Sequence, residues 1–192
     1  MVVVAAGFVM VSLAACQAPP QAEPGGAASA PANQANATVQ DLMIGIVDPS
    51  SKAVFDAVSS VEGPNGLVEK SPKNDAEWSA VEQNARKLVE AADLLLVPGR
   101  PMAVPENAQK HNEGELSPAV IEGMVQKDPA VWKKFVEGFR EAGMAAVKAA
   151  QAKRKEDFDL VNGDMDTACE NCHLHYWYPE QNELFKNEKK PS

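Results

Sequence analysis

Cysteine is scarce in this chain: three among 192 residues, at positions 16, 169 and 172. That excludes a disulfide-stapled scaffold, which needs dense, paired cysteines. Positive charge is also short. Lys and Arg number 18 against 27 Asp and Glu, the formal net charge is −9, and no basic face stands out, which argues against a nucleic-acid partner. An acidic surface of this kind steers basic partners. Sustained period-two alternation is missing, and aromatic and β-branched clusters are few, so the pattern offers no strands. The apolar run over residues 2–15 is too short to span a bilayer. What remains is enough chain for one domain with a real core, and a helical one.

The N-terminal run ends in small residues, and Leu13-Ala14-Ala15-Cys16 resembles a bacterial lipoprotein signal box. The resemblance implies a signal peptide over residues 1–15, cut before Cys16, with the lipid on that cysteine. No Lys or Arg precedes the run, and an ordinary secretory signal with an incidental cysteine is the alternative. Gln17 leans the lipoprotein reading towards the outer membrane. Residues 16–37 then form the anchor and a tether rich in Ala, Pro, Gln and Gly with no apolar period. As a random coil, about 21 residues span roughly 25 Å. The domain is thereby expected on the periplasmic face of a bacterial membrane, held there by the lipid.

From Thr38 the pattern predicts four main helices. The first covers residues 39–61, with Thr38 as N-cap, Asp41 at the third helical position, and Met43, Val47, Val54, Val58 and Val61 on one face. Pro49 must kink or briefly break it. Residues 62–66 are a turn cluster. The second helix covers residues 75–97, with Trp78, Val81, Ala85, Leu88, Ala92, Leu95 and Leu96 at helical spacing. A long connection over residues 100–127 holds one short helix, with Ser117 as N-cap and Pro118 in its first turn. The third covers residues 129–153, capped by Asp128, with Trp132, Phe135, Val136 and Phe139 on its buried face. The fourth covers residues 156–176, and a polar tail follows to residue 192. Four helices with one long crossover between the second and third make an all-α, up-down-up-down four-helix bundle the expected architecture for residues 38–178. In that order the start of helix one lies beside the end of helix four, which brings Met43 near His173. Trp132, Phe135, Leu95 and Leu96 fall at the same level.

The chemistry concentrates in Cys169-Glu170-Asn171-Cys172-His173, a C-x-x-C-H run. Two thiolates three residues apart project from one helical face and can add to the two vinyl groups of haem. The adjacent histidine supplies an imidazole for the iron. Two other uses of these residues are open: a zinc site with His175 as fourth ligand, and a thiol–disulfide motif. The first needs four ligands from seven residues of one helix to surround an ion. The second calls for a βαβ setting that the pattern lacks. With Cys16 for lipid and the pair for haem, no cysteine remains for a disulfide.

This motif late in an all-α chain, followed by Tyr176 three residues after the histidine, resembles the class II cytochromes c, the cytochromes c′ and their low-spin relatives. The resemblance covers residues 38–178. Trp177 stands where that family carries a basic residue. It implies one covalently bound haem c, held by Cys169 and Cys172, with His173 as proximal iron ligand. Helix one would face the sixth position, where Met43 is the candidate ligand, flanked by Leu42 and Ile44. Met124, Met165 and His111 are the alternatives, and core packing is the plain use of Met43. Trp132, Phe135 and Tyr176 are expected to pack on the haem. Trp177 and Tyr178 would cover its edge or form a surface patch. His175 is expected in solvent, and Arg100 on the surface or beside a haem propionate. The implied activity is electron transfer without catalysis, with redox protein partners, basic ones included, and a homodimer open. The alternative is a five-coordinate haem protein binding NO or CO.

Overall fold

The computed structural model describes residues 36–181. The expected signal peptide, Cys16, nearly all of the tether and residues 182–192 lie outside them. The described chain is mostly helical, with six α-helices and one small two-stranded sheet.

The first rod is built from α1 (Val39–Leu42), a π-helical turn (Met43–Val47) and α2 (Asp48–Phe55), with helical backbone at each junction. Thr38 and Asp41 form a reciprocal capping box, the Thr38 side chain accepting from the Asp41 backbone N–H and the Asp41 carboxylate from the Thr38 N–H. The expected break at Pro49 takes the form of the π turn. Proline removes one N–H donor, and its ring crowds the carbonyl four residues back. In the turn just ahead of it the Asp48 N–H reaches back five residues to the Met43 carbonyl, which widens the helix at that point.

Helix one was expected to run to residue 61; it stops at Phe55. Strands β1 (Ser59–Gly63) and β2 (Gly66–Lys70) follow as an antiparallel hairpin, with Val61 opposite Val68 and Gly63 opposite Gly66. Three local features overturn the helical reading. Ser59 and Ser60 are weak helix formers, Gly63-Pro64 breaks the helix, and Gly66 takes a φ of +107° that suits glycine. Val58 and Val61 therefore leave the helix face, and Val61, Leu67 and Val68 are exposed.

Helix α3 (Asp75–Leu95) is capped by Asn74, and α5 (Pro129–Ala152) by Asp128. They pack along their length in opposite directions. Trp132 at the start of α5 meets Leu95 at the end of α3, and Lys153 just past α5 meets Asp75 at the start of α3. Ala85, Ala92, Ala146 and Ala150 are almost fully buried. A Cβ on Gly143 would sit 3.1 Å from Val89 Cγ2, so the two helices touch there. Helix α6 (Phe158–Tyr176) packs on α5, and its first residue reaches α3, Phe158 meeting Trp78 at a ring separation of 5.8 Å.

The crossover carries α4 (Pro118–Lys127), as the Ser117-Pro118 pair predicts. It also ties the rods together at one end. The Pro101 and Met102 carbonyls accept the backbone N–H groups of Val39 and Gln40, which are orphan donors of the first turn. The Leu116 N–H donates to the Trp177 carbonyl at 2.9 Å, fastening the crossover to the end of α6. Arg100 is buried, not on the surface: its Nε donates to the Leu94 carbonyl at 2.8 Å, and its Nη1 to the Ala37 carbonyl.

Two substitutions test this packing. Gly143→Val forces branched carbons against Val89 and is expected to cost about 1–3 kcal/mol in urea unfolding. Thr38→Ala removes the cap and is expected to cost about 1 kcal/mol at neutral pH. The Asp41 carboxyl is held below its ordinary value by the Thr38 backbone N–H and then its hydroxyl. That stabilisation is present above the ordinary value of 3.8 and lost as pH falls through the lowered one. Thr38→Ala keeps the backbone N–H and loses only the hydroxyl's smaller contribution, so its gap from wild type should shrink by that part on acidification, as unfolding curves at several pH values will show.

Candidate functional site

The end of the molecule tied by the crossover gathers four elements around a small apolar cavity of about 40 Å³. Met43 and Val47 come from the π turn, Leu95 from α3, Trp132 and Phe135 from α5, and Cys169, Cys172 and His173 from α6. The two thiols, the histidine and the methionine singled out in the sequence thus line one space. Met43 is half-buried there; Leu42 beside it is buried in the core and Ile44 is 68% exposed. The Met43 position therefore differs from both neighbours.

Helix α6 projects Cys169 and Cys172 together because they lie one turn apart. Both are free thiols. Burial, then the Asp166 and Glu170 carboxylates, pushes the Cys169 thiol up to about 11. Burial, then Cys169, pushes Cys172 up to about 12. Burial lowers the pKa of His173, with Glu170 opposing, so the neutral imidazole is favoured, the form in which a ring nitrogen can bind a metal.

The aromatic residues divide. Trp132 and Phe135 are on the cavity wall. Tyr176 stands behind them, buried, with its ring 5.4 Å from Trp132 and 6.0 Å from Phe135. Trp177 lies edge-on to His173 at 5.6 Å, and the Tyr178 hydroxyl donates to Glu115 at 3.1 Å. His175 is not the solvated residue the sequence suggested. It is half-buried against Phe135 at 5.1 Å and Tyr176 at 4.6 Å. His111 is exposed, with its Nδ1 2.9 Å from the Asn112 carbonyl, and is not on the cavity. Met165 is fully buried in the core, and Met124 is half-buried against it; neither lines the cavity. Among the described residues no three or more His, Cys, Asp or Glu side chains are arranged to hold a metal ion, so Cys169, Cys172, His173 and His175 make no four-ligand cage.

The donor set fits a c-type haem. Two adjacent thiols and an imidazole face an apolar space, and a porphyrin leaves its iron needing only one or two protein ligands. The space itself is too small. Pockets for ligands of drug size run to roughly 300–1,000 Å³. A second cavity of about 340 Å³ adjoins it, and Leu95 and Trp132 line both. The Trp132 Nε1–H donates to the Leu95 carbonyl at 3.0 Å, fixing the indole. Sequence reasoning did not find this second cavity, because it depends on how α4 settles against α5.

No protein-family model matches the chain, and neither a curated protein nor a solved structure matches it significantly.

The raised thiol pKa values can be checked in haem-free protein. Near a pKa of 11, roughly one thiol in ten thousand is ionised at pH 7. Alkylation of Cys169 and Cys172 by iodoacetamide, followed by peptide mass, is expected to be about a hundredfold slower in the folded chain than in urea. Equal rates would mean the pair is open to solvent.

Proposed function

We propose that the chain is a monohaem c-type cytochrome that carries electrons in the bacterial envelope, tethered to a membrane through lipid on Cys16, and that its domain is an up-down-up-down four-helix bundle. The observation that carries this reading is the convergence of Cys169, Cys172, His173 and Met43 on one apolar cavity. Antiparallel packing of α3 on α5, with α6 packed on α5 and meeting α3 through Phe158 and Trp78, supports the bundle.

Cys169 and Cys172 would hold the haem c through thioether bonds, one thiol adding to each vinyl group. His173 would bind the iron from α6, and Met43 on the π turn is the candidate for its sixth ligand. The bound group supplies a one-electron ferric–ferrous couple. A methionine thioether as the second protein ligand would favour the ferrous side. Trp132 and Phe135 keep water from the cavity, and low polarity there raises the cost of the extra charge on the ferric form. The reading is a carrier and not an enzyme, because the one-electron couple of the bound group is all the chemistry it calls for. The acidic surface fits redox protein partners with basic faces.

The test is the optical spectrum of the full chain, matured with covalent haem, oxidised and reduced, with and without CO. A low-spin ferrous spectrum that CO leaves unmoved is expected, and its conversion to a CO-sensitive one in Met43→Ala. A wild-type spectrum already high-spin and shifted by CO would replace the carrier by a five-coordinate NO- or CO-binding protein. Absence of covalent haem would overturn both.

A further inference from the structure

The hairpin of β1 and β2 leaves its apolar side chains uncovered. Seven large apolar residues are exposed among the described residues, and three of them belong to these two strands: Val61 at 62%, Leu67 at 67% and Val68 at 59%. Val61 and Val68 are opposite each other and share one face; Leu67 is opposite Glu62 on the other. A two-stranded hairpin is marginal in water unless further strands or a helix cover an apolar face of it. Glu69 reaches Lys155 in an exposed ion pair, which contributes little.

The two edges differ. In β1 the end residues Ser59 and Gly63 are half-buried, whereas every residue of β2 is exposed. The outer edge of β2 also carries peptide groups. Gly63 and Gly66 close a two-residue turn, and successive residues of an antiparallel strand turn their N–H and C=O to opposite sides. Gly66, Val68 and Lys70 therefore bond to β1, and Leu67 and Glu69 turn their groups outward. Outward donors and acceptors beside apolar side chains are a template for another strand.

Register decides which strand fits. A second copy of β2 has three antiparallel registers that match the outward groups. Glu69 against its own counterpart opposes like charges, which is destabilising. Leu67 against its counterpart leaves Lys70 unpaired and draws the turn residue Asn65 into the ladder. Leu67 against Glu69 puts a two-fold axis on Val68, the middle residue of β2. All five residues then pair, no like charges are directly opposed, and Lys70 meets Gly66, which has no side chain and open space around it. One face of the resulting sheet carries a continuous row of four valines, Val61 and Val68 from each copy.

We infer that β2 is a self-pairing edge, through which two copies of this chain form a four-stranded antiparallel sheet about Val68. The inference is independent of the haem reading. One five-residue strand pair covers less than the roughly 800 Å² per partner of a standard stable interface, so the association is weak and reversible.

The experiment is oxidative cross-linking of the full chain carrying Cys16→Ser, with one cysteine added at a time; the same chain without an added cysteine sets the baseline. Opposed residues that do not exchange hydrogen bonds have Cα atoms about 4.5 Å apart, within the span of a disulfide. Val68→Cys is expected to yield covalent dimer roughly tenfold faster than Leu67→Cys or Glu69→Cys, whose counterparts are two positions along the ladder and out of reach. Adding Glu69→Pro to the Val68→Cys chain removes an outward N–H without touching a bond to β1, and is expected to return the rate to that of the controls. Dimer at the baseline rate in Val68→Cys, equal rates at all three positions, a faster rate at Leu67 or Glu69, or no effect of Glu69→Pro overturns the inference and leaves the haem reading untouched.

Discussion

The close approach of α3 and α5 sets the position of everything at the cavity end. Alanines and Gly143 fill the contact, and small side chains let two helix axes come near each other. That closeness brings the Leu95 carbonyl within 3.0 Å of Trp132 Nε1. The indole then gives Tyr176 a face to pack against, which fixes the level of the last turns of α6 and so of Cys169, Cys172 and His173. Ion pairs flank the same seam, Arg140 with Asp93 and Lys153 with Asp75. Their side chains are largely exposed, so they contribute little beside the buried surface.

A second constraint acts at right angles to the helices. The first rod is short of partners at its N-terminus, as every helix is. The crossover supplies them through the Pro101 and Met102 carbonyls, and the same segment reaches α6 through Leu116 and α4 through the Met102 N–H on Glu122. Met43 therefore sits between two fixed points, the strapped start of α1 and the face of α2 that packs on α3. The π turn lies between them. Turns of this kind are frequent at functional sites, and this one carries the residue proposed to meet the iron.

Legibility in the sequence followed the strength of the local signal. Helices α3, α5 and α6 could be read because their apolar residues recur at helical spacing over five turns or more, with Asp128 marking one start. The Ser117-Pro118 pair marked α4 as clearly. The hairpin was missed because its apolar residues face solvent, so no burial imposed an alternation that a reader could detect; Gly63-Pro64-Asn65-Gly66 signalled a turn but not what flanked it. Arg100 and His175 were placed in solvent because nothing near them in the chain argues otherwise. Arg100 is buried by the start of the first rod, 63 residues away, and His175 by Phe135 on another helix. The meeting of Met43 with the thiols was legible only through an assumed order of the helices; what the structure gives is that Met43, Cys169, Cys172 and His173 line one cavity.

The thiol–disulfide alternative for Cys169 and Cys172 can be weighed on electrostatics. A redox-active pair needs one thiolate at neutral pH, and proteins obtain it by placing the cysteine at a helix N-terminus or beside a cation. Here the pair lies in the C-terminal half of α6, where the helix dipole disfavours an anion. The charged neighbours of Cys169 are Asp166 and Glu170, and both push its thiol further up. Burial adds to this for both residues. Every contribution has the sign that suppresses exchange chemistry. A thioether carries no charge, so a cysteine committed to that bond loses nothing by being buried in an apolar, acidic-flanked wall. The environment that makes these residues poor redox thiols is one in which a permanent uncharged linkage is at no disadvantage.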